Sequence, residues 1–332
     1  MQDSNLLTWF FLGALPPPLG GVTIFAKRKV ATWRACGKQV VQLDVGNLSP
    51  ISKVRQLFRL LFAGRNSGIY VNDLSGFNLA AAGFNIGGAK IFLHDHNYNL
   101  GPMTGFRGWL LRRCLSRCDE IYFDGVHSRE NYIQAGFMRE GKKYSFSSPF
   151  IKPDPAERDE IVSRYPAELF AFLDAHSPVI GANAFKIVLD DSGVDLYGVD
   201  MTLALLESLR KTYPDSGVVF AVAVDHDSEY LQGLKQAIRD KGLAEHFLLM
   251  IGADELWPFF GMVDVFVRPT STDGYGISVA EAIFSGTPAV ASDVCKRHEK
   301  AVLFQARNQA DLEEKVRQLL ANADLHGATR GH

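Results

Sequence analysis

Cysteine is scarce. The four present, Cys36, Cys114, Cys118 and Cys295, form no C-x-x-C pair and have no histidine at metal-like spacing. A disulfide framework and a structural zinc site are therefore not expected, and a reducing, cytoplasmic setting is. Long hydrophobic runs are missing too: no apolar stretch reaches the roughly eighteen residues that a membrane-crossing helix needs. The opening NLLTWFFLGAL lacks a positive flank and runs into Pro16, Pro17 and Pro18, so a buried strand is expected there, not a signal peptide. The sequence also has no low-complexity tract or short internal repeat.

Overall charge is nearly absent, with 35 Lys and Arg against 37 Asp and Glu, but the balance conceals an asymmetry. Residues 1–150 hold 18 basic and 9 acidic side chains, and the remainder holds 17 and 28. A basic half suggests an anionic partner. That partner is either membrane headgroups or nucleic acid, and the acidic half argues against a chain that wraps a polyanion throughout. No nucleic acid is expected, and an anionic membrane surface is a candidate partner. With 47% hydrophobic and 22% charged residues, 332 residues suffice for two domains with real cores.

Short apolar runs alternate with stretches of helical period, the pattern of βα units and parallel sheets. In the first half LLTWFFLGA, KQVVQLDV, GIYVND, AKIFLHD and EIYFDG read as strands. The series restarts near Pro178 with PVIGANAF, GVVFAVAV, HFLLMIG, DVFVRPT and PAVASDV. The expected fold class is α/β, with two Rossmann-like domains at residues 1–152 and 177–332 facing a central cleft. A charged, proline-bearing linker with a helix occupies 153–176, and the last helix is free to return to the N-terminal domain. Such open sheets bind ligands outside the carboxyl ends of their strands.

Chemistry concentrates in VDVFVRPTSTDGYGISVAEAIFSGTPAVASDV, residues 263–294. A buried strand ends at Pro269, a polar glycine-bearing loop follows, and ISVAEAIFSG reads as a helix ended by Gly286. The free N–H groups and positive dipole end of that helix suit a diphosphate, and Gly274 and Gly276 let the backbone approach it closely. Asp273 and Glu281 could each accept hydrogen bonds from a sugar or ribose diol. Alone, the same residues also fit a tight βα turn with a half-buried glutamate.

The order of parts decides between these readings. The segment resembles the signature of glycosyltransferase family 4, in which a strand ending in Pro-Ser or Pro-Thr precedes E-x7-E, an E-A-x-x-x-G helix and a P-V-V-A-S strand. Seven residues separate Asp273 from Glu281, so the spacing is kept while the first acid is shortened. The resemblance implies the GT-B fold and retaining transfer of a sugar from a UDP- or GDP-linked donor to a hydroxyl, with neither metal nor cofactor. It implies a glycan or lipid-linked acceptor, as in bacterial surface polysaccharide synthesis. Asp273 is then expected near the donor sugar, Gly274, Tyr275, Gly276, Ile277 and Ser278 at the diphosphate, and Glu281 on the ribose. The stretch before it is similar as well, which places the base against Gly252 to Leu256.

Two departures bear on activity. Where the family has G-R and K-G cations, this chain has Tyr197-Gly198 and, as candidates for the missing charge, Asn183, Lys186 and Arg268. A nucleotide-sugar epimerase or a catalytically silent binding subunit are the alternatives these departures leave open. In the first domain, LPPPLGG resembles the family's glycine loop, so Gly20 and Gly21 are expected to pass close to bound donor or acceptor. His94 and His96 fall on one face at a strand end, where one of them is expected to face the sugar. The triplet they form with Asp95 is at most a partial metal site, because no third ligand is evident in the sequence. KVRQLFRLLFAGR and FRGWLLRRCLSR combine arginine with large apolar residues at helical spacing. They suit the inner face of a plasma membrane, or equally internal helices with solvated arginines.

Overall fold

The computed structural model describes residues 6–17, 19–44, 48–96, 100, 103–138, 141–225, 228–252 and 255–326. The chain divides into two compact units, residues 1–17 with 21–151 and residues 18–20 with 152–332.

In the first unit β1 (Thr8–Leu12), β2 (Gln39–Leu43), β3 (Ser67–Val71), β4 (Lys90–Asp95), β5 (Glu120–Phe123) and β6 (Tyr144–Phe146) form one parallel sheet, in the order β2-β1-β3-β4-β5-β6. The connections include α1 (Gly21–Ala35), α2 (Pro50–Leu61), α3 (Gly76–Gly83), α4 (Gly105–Arg117) and α5 (Val126–Gln134). Strand residues alternate between faces, and the two faces differ in chemistry. Phe10, Leu12, Ile69, Val71, Ile91 and Leu93 join a mainly aliphatic core. The alternate positions build an aromatic layer with Trp33 of α1, with ring centroids 4.5 Å apart for Trp9 and Trp33, 5.4 Å for Phe11 and Tyr70, and 6.3 Å for Phe92 and Tyr122. His94 follows Phe92 by two residues on β4 and so extends this aromatic face.

In the second unit α6 (Arg158–Val162) and α7 (Ala167–Ala175) precede β7 (Val179–Ala184). That strand begins a second parallel sheet with β8 (Gly217–Val222), β9 (Phe247–Ile251), β10 (Val265–Arg268), β11 (Ala289–Ser292) and β12 (Val302–Phe304), in the order β12-β11-β10-β7-β8-β9. Its helices include α8 (Val199–Leu209), α9 (Glu229–Asp240), α10 (Trp257–Phe260), α11 (Ile277–Phe284) and α12 (Gln309–His326). The chain runs outward from β7 through β8 to β9, then returns to β7's other side and continues outward from β10. The loops leaving β7 and β10 therefore diverge, which opens a crevice at their carboxyl ends.

Two features differ from the sequence reading. The edge strands β6 and β12 have three residues each, too few to show an alternation. Residues 153–176 form two helices where a linker with one helix is expected, and Ile161, Tyr165 and Leu169 lie in a core with Trp257, Phe259 and Phe260. Tyr165 Oη donates to Glu255 O at 2.5 Å and accepts from Phe259 N at 3.3 Å, which fastens this segment to the second unit. In α12 the stripe Leu312, Val316 and Leu320 is buried in the core of the second unit. Among the described residues no helix is long and apolar enough to cross a membrane.

Candidate functional site

At the β7/β10 crevice Arg268, the last residue of β10, gathers the neighbouring strand end. Its Nη1 donates to both the backbone oxygen and Oδ1 of Asn183 at 3.0 Å, and its Nε donates to Asp273 Oδ2 at 2.9 Å. Arg297, in the loop after β11, reaches the same carboxylate oxygen with Nη1 at 2.7 Å. Its other hydrogens go to Ser292 O at 3.0 Å, Thr270 Oγ1 at 3.0 Å, Ser292 Oγ at 3.1 Å and Tyr275 O at 3.4 Å. Asp273 Oδ1 accepts from Gly274 N at 3.0 Å. Burial alone would raise the Asp273 pKa. The guanidiniums of Arg268 and Arg297 outweigh it and hold the carboxyl well below the usual range. Two cations around one carboxylate leave the cluster with one positive charge in excess.

The start of α8, beside this cluster, is capped by Asp195, whose buried carboxylate accepts from the amides of Tyr197 and Gly198 at 2.9 Å, Val199 at 3.0 Å and Asp200 at 3.3 Å, and from Tyr230 Oη at 2.6 Å. This N-terminal capping sets the Tyr197 ring 5.2 Å from the Arg268 guanidinium. Gly198 is required at the turn, because its φ is +72° and a Cβ there would lie 2.2 Å from Pro269 O. Ser271 N donates to Leu196 O at 3.1 Å, which ties the α8 turn to the loop carrying Asp273.

Tyr275, Gly276, Ile277 and Ser278 bring that loop into α11. Gly276 precedes the helix at φ +72°, and a Cβ would stand 2.4 Å from Arg297 Nη1. In the first turn Val279 N donates to Gly276 O at 2.9 Å, while the amides of Ile277 and Ser278 have no intrahelical acceptor, and Glu281 is buried further along the helix. Lys186 is exposed in the bend after β7 and has no part in this network among the described residues. Of the expected base loop, Ala253 and Asp254 lie outside the described residues, Gly252 has φ +73°, and Glu255 is buried.

A second cluster closes the carboxyl ends of β4 and β5 in the first unit. Asp124 receives His94 Nε2 on Oδ1 at 2.8 Å and His96 Nδ1 on Oδ2 at 3.0 Å. The far nitrogens are held as well, His94 Nδ1 by Tyr70 Oη at 2.7 Å and His96 Nε2 by Asn72 Oδ1 at 3.0 Å. His94 has no exposed surface, and burial, then the neighbouring His96, lowers its pKa to about 3. It is neutral, so Nε2–H donates to Asp124 and Nδ1 accepts from the Tyr70 hydroxyl, whose own pKa burial pushes up. His94, His96 and Asp124 place ligand atoms within 4.8 Å of one another, so Asp124 is the third potential metal ligand that the sequence did not reveal. An ion there would have to replace both histidine–carboxylate hydrogen bonds. Gly20 lies just before α1 and Gly21 opens it.

Residues 194–322 match the family model described as Glycosyl transferases group 1. A GDP-mannose-dependent alpha-(1-6)-phosphatidylinositol monomannoside mannosyltransferase of Mycolicibacterium smegmatis is 28% identical over 218 residues, 62% of this chain and 52% of that protein. The lipopolysaccharide core biosynthesis mannosyltransferase LpsB of Rhizobium meliloti is 31% identical over 123 residues, 37% of this chain and 33% of that one. The chain thus spans about half or less of the length of these relatives. The crystal structure of Anabaena Alr3699/HepE in complex with UDP and glucose superposes with a TM-score of 0.65 at 14% identity, over 96% of this chain and 91% of that one. The fold is GT-B.

In the GT-B frame the structure unites Asn183, Tyr197, Gly198, Arg268, Asp273 and Gly276, and separately His94 with His96. Sequence reasoning missed Arg297, Asp195 and Asp124. Asp195 carried a signal, an acid three residues before a glycine that opens an apolar-periodic helix. Arg297 and Asp124 carried none beyond their places after strands.

Proposed function

We propose that the protein is a retaining glycosyltransferase related to family 4, moving a sugar from a nucleoside-diphosphate donor to a hydroxyl of a glycan or lipid-linked acceptor on the cytoplasmic side of a membrane. The observation that carries this reading is the β7/β10 crevice, where an excess positive charge at Arg268 adjoins the N-terminus of α11. Together they offer a diphosphate a guanidinium and a set of amides, held in place before the donor arrives. Glu281 takes the ribose hydroxyls. The two arginines supply the charge that the family's G-R and K-G pair supplies elsewhere, so Lys186 is not needed for it.

Asp273 acts in this scheme through its neighbours. With Oδ2 shared by two arginines and Oδ1 on the loop amide, it positions Arg268 and the phosphate loop. His96 is the histidine that meets substrate, and Asp124 and Asn72 hold its ring, with His94 fixed behind it by Tyr70. The departing diphosphate accepts the acceptor's proton, a route that uses no metal. The mannosyltransferase relatives favour a GDP-sugar and the HepE structure a UDP-sugar, so both belong in the test.

A thermal-shift screen of UDP-, GDP-, ADP- and dTDP-sugars should reveal one stabilising donor, worth about 2.7 kcal/mol at a hundredfold excess over Kd. Glu281→Ala should lose that stabilisation, and the donor should turn over only when an acceptor is supplied. Stabilisation by none of the four would sink the reading. Conversion of the donor without acceptor would replace transfer with epimerisation, and binding without turnover would leave a silent subunit. Chelator treatment should leave turnover unchanged.

A further inference from the structure

Helix α2 buries little of itself. Ser49 caps it by accepting from Ser52 N at 3.3 Å and Pro50 opens it, yet Leu60 is its one fully buried residue. Leu57 packs inward with Leu60 against the aliphatic core. The opposite stripe consists of Ile51, Val54, Phe58 and Phe62, at helical spacing, and these are 83%, 55%, 58% and 62% exposed.

The stripe does not end with the helix. Ile86 N and Gly87 N both donate to Leu61 O, at 2.8 and 3.1 Å, which sets the 71% exposed Ile86 beside the end of α2. Phe84 follows, 5.8 Å from Trp109, and Trp109 stacks on Phe106 at 5.6 Å. Most of α4 serves the core, since Leu110, Leu111, Cys114 and Leu115 are buried, and Arg112 is tied to Gly136 O at 2.7 Å. Its first turn alone extends the patch, with Phe106 73% and Trp109 49% exposed. Exposed large apolar side chains grouped on one face in this way mark a surface that meets something apolar.

Charge identifies the partner. Residues 45–118 contain nine Lys and Arg and two acids, Asp73 and Asp95. Asp95 is buried and Asp73 half-buried, whereas Arg55, Arg59, Arg65, Arg107, Arg113 and Arg117 are exposed. A second copy meeting this face across a two-fold axis would set the same cations against themselves. A partner both apolar and negative satisfies the whole face.

We propose that this face of the first unit docks on an anionic lipid bilayer, with the α2 stripe, Ile86, Phe106 and Trp109 at the acyl boundary and the arginines among the phosphates. The surface stands without the transfer reading. Joined to it, the acceptor is presented by the membrane, and the enzyme works on a lipid-anchored substrate.

Flotation of the full chain with phosphatidylcholine vesicles, with and without phosphatidylglycerol, tests it. Binding is expected on the anionic vesicles only, weakening as salt is raised. Phe58→Ser with Phe62→Ser should lower the partition constant by about a hundredfold, about tenfold for each phenylalanine withdrawn. Both side chains are exposed, so thermal stability and nucleotide-dependent stabilisation should be unchanged, which separates failure of this surface from failure of the donor site. Lys53→Glu with Arg55→Glu should abolish the preference for anionic lipid. No binding at low salt, or equal binding of the double phenylalanine variant, would overturn the proposal. So would a concentration-dependent dimer that disappears in that variant while vesicles are ignored.

Discussion

At residue scale the donor-side cluster depends on Gly276 having no side chain. Alanine there would meet Arg297 Nη1 at 2.4 Å and hold a left-handed φ of +72°. Gly276→Ala should therefore cost about 1–3 kcal/mol in urea unfolding and weaken nucleotide binding in calorimetry. Asp273→Asn keeps the shape but leaves the 1% exposed Arg297 side chain beside an uncharged partner, a loss of about 3–5 kcal/mol. The sign of its pH dependence follows from the depressed pKa. The native advantage over the variant is complete above the unfolded carboxylate value of about 3.9 and closes as pH falls below it. A gap between the two urea midpoints that stays constant from pH 6 to about pH 2 would contradict the ion cluster. The spacing of Asp273 and Glu281 was legible because both lie on one loop and helix. Arg297 was not, because it enters from a different loop, 24 residues further along, and is specified only by the adjacency of β10 and β11.

At the scale of elements, the start of helix α8 is capped by one side chain, and a single backbone bond, Ser271 N on Leu196 O at 3.1 Å, ties it to the loop before α11. Asp195 takes four amides and the Tyr230 hydroxyl, so Asp195→Ala removes a cap and strands a partly buried hydroxyl, at a cost of about 2–4 kcal/mol. Released from its cap, Tyr197 no longer holds the Arg268 guanidinium from above, and donor affinity should fall with stability. Calorimetry finding full affinity in a destabilised Asp195→Ala protein would separate the cap from the site. The same element logic explains what the sequence disclosed of the fold. Central strands such as β8, buried along its whole length, announce themselves as continuous apolar runs. The edge strands β6 and β12 are half-exposed and short, so their pairing comes from the neighbouring strand and not from their own pattern. The segment at 153–176 read as a linker because most of its charges, with Pro155 and Pro166, are exposed, while Ile161 and Leu169 belong to two short helices separated at Pro166, so no single continuous apolar face runs through it.

Across the whole molecule, the two units answer acid differently. His94 is neutral in the folded first unit, with its pKa lowered from 6.5 to about 3 by burial and then by His96, and it is surrounded by Tyr70, Asp124 and Lys29. The unfolded chain binds its proton first, so the stability it contributes is complete above about pH 6.5 and is lost progressively as pH falls toward its folded value, at up to about 1.4 kcal/mol per pH unit. Asp273 in the second unit gives up nothing until pH drops below about 3.9. The first unit is also the more cationic, with 18 basic against 9 acidic residues in 1–150, and protonating its carboxylates adds to that repulsion. Between pH 6.5 and 4 the first unit should therefore weaken while the second holds. Trp9, Trp33 and Trp109 belong to the first unit and Trp257 alone to the second, so in Trp257→Phe the fluorescence reports the first unit. Its urea midpoint should fall steadily across that window, and adding His94→Gln should flatten the slope whatever it does to the midpoint at neutral pH. An unchanged slope in the double variant would mean that the buried histidine does not carry the acid sensitivity, and that the Tyr70–His94–Asp124 chain is held together differently from the way its distances indicate.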